Sequence, residues 1–239
     1  MLGRYTRSKR EGLALAASEV TEKLVPHLKA TLAVDWACPH LCPDLEAASA
    51  RAFEETRAQE DYLLGQDTPA HGGDSAREAR FLAALSRVRA LADAGEPLTW
   101  ARLAEVQAEV LGRPVGFRAG PAFAHGGRHR YLYAPDLEEM FVRKVEADAR
   151  DGCHPVAQAV RLYLDLAFFH PFPDGNARAA RLWFEYCLRR ARVPTPPLAP
   201  WVLLPKPPGD AERYVRFVRL VARSIAAADA RGMEAPDGI

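Results

Sequence analysis

The stretch HPFPDGNARAAR, residues 170–181, gathers polar side chains of several chemical kinds between two apolar helical segments. His170 is the one group in it that titrates near neutral pH without perturbation, which makes it the candidate general base. Asp174 offers a hard carboxylate oxygen of the kind that holds Mg²⁺ together with substrate phosphates. Phe172, between them, is expected to anchor the loop in the core.

The second half of the stretch has the composition of an anion site. Gly175, Asn176 and Ala177 precede or open a helix, whose first N–H groups lack intrahelical partners and attract phosphate oxygens. Arg178 and Arg181 lie about one turn apart on that helix and could grip further phosphates with guanidinium groups. A base, a metal ligand, an anion cradle and two cations together favour transfer of a group from a nucleotide.

A structural interpretation of the same residues stays open at this point. A His-Pro pair after an apolar helix can simply end that helix, and Asp-Gly-Asn is an ordinary turn that caps the next one. The two arginines could be surface charges. The joint occurrence of all these residue types at this spacing favours the functional interpretation.

The elements around the stretch are predicted to be helical, because apolar residues recur at helical spacing. A helix reaches Phe169 from His154-Pro155, and another runs over 177–192. The same pattern predicts a helix over 11–30 with a bend at Pro26 and a second helix over 45–64. A third helix has its apolar positions within 81–91 and stops at Gly95, and a fourth runs from its N-cap Thr99 to Gly112. Two more helices begin at about Leu137 and after the cap Asp210.

Two segments depart from the helical pattern. The segment 116–134 contains two short extended pieces around His125-Gly126-Gly127, with Pro121 favouring an edge position. Seven prolines in 193–209 predict an extended connection. The fold class expected is all-α with one small β-hairpin.

Composition narrows the classes of function. The chain of 239 residues has a net charge of +1, which gives no general attraction to nucleic acid or to an anionic membrane. No apolar run approaches a membrane span, and the N-terminus does not have the pattern of a signal peptide, so a cytoplasmic protein is expected. Cys38, His40 and Cys42 in CPHLC lack the spacing of the usual zinc sites, which favours ordinary thiols over a metal site.

The stretch resembles the signature of the Fic family, His-x-Phe-x-Asp/Glu-Gly-Asn-Gly-Arg-x-x-Arg. It matches that signature at seven positions: His170, Phe172, Asp174, Gly175, Asn176, Arg178 and Arg181. The sequence on both sides of the stretch, over roughly 82–221, also resembles the core of that family. The resemblance implies a Fic-type helical bundle with a β-hairpin flap over the active-site loop, and an enzyme that transfers AMP from ATP to a Ser, Thr or Tyr hydroxyl of a target protein.

The resemblance also implies roles for the site residues. His170 would deprotonate the target hydroxyl, and Asp174 would hold Mg²⁺ on the α- and β-phosphates of ATP. Gly175, Asn176 and Ala177 would form the anion hole. Arg178 would stabilise the departing pyrophosphate, and Arg181 would contact the terminal phosphate or a regulatory acid. A flap at about 117–133, including Phe117, Arg118 and Tyr131, would position the target.

One departure from the signature bears on the reaction. Ala177 stands where the family has a second glycine, which is a mild change in a helix and a costly one at positive φ. A Fic-family phosphotransferase resembling a kinase is therefore an alternative. A catalytically silent nucleotide-binding interaction module is a second alternative, and UMP or phosphocholine transfer has no separate support in the sequence.

Regulation and organisation are predicted from the same resemblance. Many Fic proteins carry an inhibitory glutamate on a helix, and Glu54 in EAASARAFEETRA is an imperfect candidate for it. An antitoxin partner is the other possible restraint. The expected division is an N-terminal helical extension at 1–74 and a catalytic core at 75–239. The sequence identifies neither the target protein nor the oligomeric state.

Overall fold

The computed structural model describes residues 21–42, 57–65, 75–124, 127–150 and 152–233, and most of these residues are helical. The helices are, in chain order, α1 Leu24–Ala33, α2 Ala58–Gly65, α3 Ser75–Asp93, α4 Trp100–Leu111, α5 Leu137–Arg150, α6 Pro155–Phe169, α7 Asn176–Arg190, α8 Ala199–Val202 and α9 Ala211–Met233. A 3-10 turn occupies Pro39–Leu41. The predicted all-α class is confirmed.

Several helix ends lie where the sequence predicts them, because side chains satisfy the first free N–H groups. The Thr99 hydroxyl accepts a hydrogen bond from the Arg102 N–H at 3.3 Å and caps α4. The Asp210 carboxylate accepts one from the Arg213 N–H at 3.0 Å and opens α9. His154 caps α6 with its ring nitrogen, and Pro155 is the first helical residue.

The centre of the protein is the pair α6 and α7, joined by the six-residue segment 170–175. Both helices are buried on nearly every side, since α3 packs against α7 while α5, α9 and α1 pack against α6. This burial explains why the sequence of α6 is apolar almost throughout. Helix α7 also buries polar side chains, those of Asn176, Arg178, Arg181 and Glu185. None of the helices in the described ranges has both the length and the apolar character needed to cross a membrane.

A small sheet lies beside this centre, with the strand order β1–β3–β2. Strands β2 Ala122–Ala124 and β3 His129–Tyr131 form the predicted antiparallel hairpin, with Ala122 opposite Tyr131. Strand β1 Thr21–Glu22 pairs with β3 in parallel. Strand β3 is therefore the central strand, and β1 and β2 are the two edge strands of the sheet within the described residues.

Three local predictions need correction. Of the helix predicted over 11–30, residues 11–20 lie outside the described residues, 21–22 form a strand, and α1 begins only at Leu24. Pro26 lies in the first turn of α1, where its missing N–H costs no hydrogen bond, so it does not bend a longer helix. The segment 193–209 contains the short helix α8, which begins at Ala199-Pro200. The helix α7 ends at Arg190, because Arg192 adopts a left-handed conformation with φ 59°.

Candidate active site

The candidate base lies at the C-terminal end of α6. His170 is the residue after the last helical position and has left-handed dihedral angles of φ 52° and ψ 55°. Such a conformation costs a non-glycine residue roughly 1–2 kcal/mol, so the surrounding contacts must hold it. Its N–H donates to the Leu166 carbonyl at 3.3 Å, and Pro171 prevents the helix from continuing.

Two contacts orient the His170 ring. The ring stacks on Tyr131 of β3, with ring centroids 3.9 Å apart and planes inclined by 15°. Nδ1 lies 3.3 Å from the Ala167 carbonyl oxygen. Since a carbonyl oxygen can only accept, this hydrogen bond requires the hydrogen on Nδ1 and leaves a lone pair on Nε2. In that tautomer Nε2 can take a proton.

Arg118 connects the hairpin to the start of the loop. Its side chain is 6% exposed, and its Nε and Nη2 atoms donate to the carbonyls of His170 at 2.8 Å and Phe169 at 3.1 Å. The same guanidinium donates to the carbonyls of Gly120 and Leu132, which flank the hairpin. Its backbone N–H donates to the Pro171 carbonyl at 2.8 Å. All of these contacts are internal to the protein.

The middle of the loop is fixed to the core. The Phe172 side chain is fully buried and stacks on Trp100, with ring centroids 5.3 Å apart. The Asn176 side chain, also buried, accepts from the Phe172 N–H at 2.9 Å and donates to its carbonyl at 2.8 Å. The predicted anchoring by Phe172 is thus confirmed. Both polar atoms of the Asn176 side chain are used to fix the loop. An anion would therefore meet the backbone N–H of Asn176 and not its side chain.

Asp174 and Gly175 form the turn into α7. The Asp174 side chain is 70% exposed, and its Oδ1 accepts from the Gly175 N–H at 2.6 Å. The Asp174 carbonyl accepts from Nε2 of Gln107, a fully buried side chain of α4, at 2.7 Å. Gly175 has φ 74°, a conformation that favours glycine. The turn therefore directs the Asp174 carboxylate toward solvent, while the buried Gln107 side chain fixes the Asp174 backbone.

Ala177 is exposed and helical. It is the second residue of α7 and is not among the described residues with positive φ. The sequence left open whether the missing glycine is a mild or a costly change, and the helical position makes it mild. The N–H groups of Asn176 and Ala177 open the helix, where no intrahelical acceptor is available to them. This first turn is suited to bind an anion.

The two arginines occupy different surroundings. Arg178 is mostly buried, lies 3.6 Å from the Asp174 carboxylate and donates to the Val110 carbonyl at 3.4 Å. Arg181 is 5% exposed, and its guanidinium lies 4.7 Å from the ring centroid of Tyr62 and 4.9 Å from that of Phe81. The site thus places one arginine beside the carboxylate and the other between two aromatic rings.

Arg181 is a buried cation without a counter-charge in the described part of the chain. No carboxylate there lies within ion-pair distance of it, and its Nη1 has no hydrogen-bond partner. Burial lowers the pKa of Arg181 to about 10, partly offset by Tyr62 and Tyr163. A buried cation without an anion is costly, so the arrangement favours an anion that binds from outside. Glu54, the candidate inhibitory acid, lies outside the described residues.

The predicted flap residues are placed inward. Phe117 packs against Trp100 and Phe141, with ring centroids 5.7 and 6.1 Å away, while Arg118 and Tyr131 face the end of α6. The outer surface of the hairpin carries Phe123, 55% exposed. Whether the flap positions a target stays a prediction.

Sequence reasoning missed Gln107 and Tyr62. Gln107 could have been found, because it lies at i+4 from Leu103 and i−3 from Val110, on the apolar face of α4. A polar residue at such a position needs a buried partner. Tyr62 carries no comparable signal, since its contact with Arg181 depends on how α2 packs against α7.

The site lies within a segment that matches a known family. Residues 97–188 match the model of the Fic/DOC family. The part of the chain that matches this family includes α4, the hairpin, α6 and nearly all of α7.

Two named relatives are similar in sequence. The uridine 5'-monophosphate transferase of Xanthomonas campestris pv. campestris (strain 8004) is 25% identical over 189 residues, which cover 70% of this chain and 33% of that protein. The protein adenylyltransferase Fic of Drosophila melanogaster is 32% identical over 84 residues, 35% of this chain and 15% of that protein. The chain thus spans about a third or less of these relatives.

Two solved structures share the fold. A Fic family protein from Desulfovibrio desulfuricans G20 aligns with a TM-score of 0.55 and 14% identity, over 100% of this chain and 77% of that one. A Fic domain containing signalling protein from Bacteroides thetaiotaomicron VPI-5482 aligns with a TM-score of 0.51 and 18% identity, over 92% and 88%. At these identities the likeness concerns the fold alone.

Proposed function

We propose that this protein is a protein adenylyltransferase, which transfers AMP from ATP to a Ser, Thr or Tyr hydroxyl of a target protein. The observation that carries the proposal is the open first turn of α7, with the Asp174 carboxylate directly before it and Arg181 one turn further on, where no described carboxylate pairs with it. A polyphosphate would supply anions to both positions. The names of the relatives agree with nucleotidyl transfer.

In the proposed reaction, Nε2 of His170 takes the proton of the target hydroxyl. The hydroxyl oxygen attacks the α-phosphorus of ATP, the bond from that phosphorus to the bridging oxygen breaks, and pyrophosphate leaves. The N–H groups of Asn176 and Ala177 stabilise the charge on the phosphoryl oxygens. Arg178 stabilises the departing pyrophosphate, and Arg181 binds the terminal phosphate.

The residues present fit a magnesium ion bound with the nucleotide. Mg²⁺ commonly binds through one or two carboxylates plus substrate phosphates and keeps several waters. Asp174 is a single exposed carboxylate beside the anion-binding turn, which matches that ligand set. The bound ion would neutralise phosphate charge, and Asp174 would hold it.

A second candidate is transfer of UMP from UTP. The Xanthomonas campestris relative, a uridine 5'-monophosphate transferase, aligns over 70% of this chain, a larger share than the adenylyltransferase covers. The chemistry at the α-phosphorus is the same for both nucleotides, so the candidates differ only in the base that binds. Phosphotransfer remains the third candidate, although the helical, exposed position of Ala177 removes the steric reason for it.

The wider organisation is also part of the proposal. We expect residues 75–239 to form the catalytic core, with 1–74 as an extension that carries the inhibitory Glu54, or else an antitoxin as a separate chain. The open edge of β2, with the exposed Phe123, would hold an extended target segment by strand addition. The protein would act in the cytoplasm.

The test is the intact mass of the protein and of lysate proteins after incubation with Mg²⁺ and either ATP or UTP. We expect an AMP-sized adduct with ATP, absent from the His170→Ala variant. A UMP-sized adduct only with UTP would select the second candidate, and a phosphate-sized adduct would select phosphotransfer. Nucleotide binding without any adduct, also in Glu54→Gly, would contradict the proposal and favour a silent binding module.

A further inference from the structure

Arg118 is a buried cation that takes no direct part in the proposed reaction. It follows Gly116-Phe117 at the entrance to the hairpin and is far more buried than arginine usually is. Its guanidinium binds two groups of backbone carbonyls that belong to different parts of the fold. One group is at the end of α6, and the other is at the two ends of the hairpin.

The first group of contacts fixes the backbone of the base. The last carbonyls of a helix have no intrahelical donor, and Pro171 has no N–H to supply one. Arg118 donates to the carbonyls of Phe169 and His170, and a cation is favourable at a helix C-terminus. It thereby holds the backbone of His170 in its left-handed conformation.

The second group of contacts fixes the ring that stacks on the base. Arg118 donates to the carbonyl of Leu132, the residue directly after Tyr131. The Leu132 N–H donates to Glu22 of β1 at 3.3 Å, and Glu22 also raises the pKa of Arg118 against the lowering effect of burial. Tyr131 is therefore held against His170 by a segment that is bound on both sides.

We propose that Arg118 is a positioning residue for His170, one that acts by fixing both the carbonyl end of α6 and the Tyr131 ring. This inference rests on the proposed function, since it makes His170 the base. It differs from a role in binding the target, because the donors of Arg118 point to internal carbonyls. A target segment would meet the exposed surface of the hairpin instead.

The first test compares turnover with nucleotide binding in Arg118→Gln and Arg118→Lys. We expect kcat to fall about 10- to 100-fold in Arg118→Gln, because small displacements of a reacting group cost that much. The Kd for ATP should stay within about twofold, since the anion-binding turn is held by Gln107 and Asn176. The kcat of Arg118→Lys should lie between those of the wild type and Arg118→Gln, because an ammonium group cannot donate to four carbonyls as a planar guanidinium group does.

Arg87→Gln is the matched control. Arg87 forms an exposed ion pair with Glu105 between α3 and α4, so its loss should leave kcat unchanged. Wild-type kcat in Arg118→Gln, or a loss of ATP affinity as large as the loss of kcat, would overturn the proposal.

The second test does not depend on activity. The NMR signals of the His170 ring, assigned by their absence in His170→Ala, should show the ring-current shift of a stacked imidazole in the wild type. That shift and the midpoint of the ring's titration should both change in Arg118→Gln, or in Arg118→Lys if the glutamine variant does not fold. Unchanged signals would overturn the role of Arg118. A wild type with stacked His170 signals and no transfer from any nucleotide would instead contradict the proposed function.

Discussion

Replacing Gly175 by alanine tests how tightly the turn before α7 is built. Gly175 has φ 74°, and a Cβ placed on it would lie 2.5 Å from Nε2 of Gln107 and 3.1 Å from Nη2 of Arg178. The third neighbour, Cδ2 of Leu111, would be 3.3 Å away. The new methyl group therefore collides with the side chain that holds the Asp174 carbonyl.

Two free-energy terms determine how much Gly175→Ala destabilises the protein. A left-handed conformation costs an L-residue about 1–2 kcal/mol. Displacing Gln107 breaks its hydrogen bond to the Asp174 carbonyl in a fully buried place, which costs about 1–3 kcal/mol. The sum is about 2–5 kcal/mol. In a chain of this size each kcal/mol lowers Tm by about 2–4 °C, so we expect a decrease of roughly 4–20 °C.

The assay is calorimetric unfolding, and Ala177→Gly is the matched control. It changes one methyl group two residues away, at an exposed helical position, and should cost about 1 kcal/mol or less. A decrease in Tm for Gly175→Ala no larger than that for Ala177→Gly would refute the reasoning.

A double-mutant cycle separates the two terms. If the collision with Gln107 is real, Gln107→Ala already loses that hydrogen bond and removes the obstacle. Gly175→Ala should then cost less in the Gln107→Ala background than in the wild type, by about 1 kcal/mol or more. Additive effects would show that Gly175 is required for its φ alone.

Further predictions concern the core, the second arginine and a buried carboxyl pair. Phe172→Ala should lower the free energy of unfolding in urea by about 3–5 kcal/mol, and a loss below about 1 kcal/mol would contradict the anchoring role. Arg181→Met should weaken ATP binding about tenfold or more by calorimetry. It should change stability by less than about 2 kcal/mol, because no buried carboxylate among the described residues loses its partner; strong destabilisation would contradict this. Burial and then Asp165 raise the pKa of Asp148 from 3.8 to about 8, against the lowering effect of Lys144 and Arg161, so we expect the folded protein to hold a proton that the unfolded chain releases. Stability should fall as pH rises from about 4 to 8, and Asp148→Asn should flatten that slope in thermal unfolding; equal slopes would exclude Asp148 as its source.

The order of the helices could be predicted from sequence because their signals are local. Apolar spacing, the Thr99 and Asp210 caps and the His154-Pro155 start each depend on residues within a few positions of one another. Strand β1 was missed for the opposite reason. It has only two residues, and what makes them a strand is pairing with His129 and Arg130, more than 100 residues away. Helix α8 departs from the extended connection that the seven prolines predict, because Pro200 suits the first turn of a helix.

The candidate site shows the same difference between local and long-range determinants. The identities of its groups could be predicted, because they lie on one contiguous stretch of twelve residues. The groups that hold that stretch could not, since Arg118 and Gln107 reach it from 52 and 67 residues away. The sequence assigned Arg118 to target binding, and nothing local distinguishes an arginine that faces a partner from one that binds internal carbonyls. Only hydrogen bonding to internal carbonyls accounts for the burial of Arg118.

The burial of the motif residues explains their spacing. Phe172 and Asn176 are buried and bind each other, and Asp174 and Ala177 are exposed. The two left-handed residues, His170 and Gly175, lie at the two ends of the loop. Fixing the loop at Phe172 and Asn176 leaves only these ends to determine where the imidazole and the free N–H groups point. Contacts from other elements reach both ends: Arg118 and Tyr131 at the first, Gln107 at the second. A variant that alters one end should therefore separate base catalysis from anion binding, whereas a change at Phe172 should impair both.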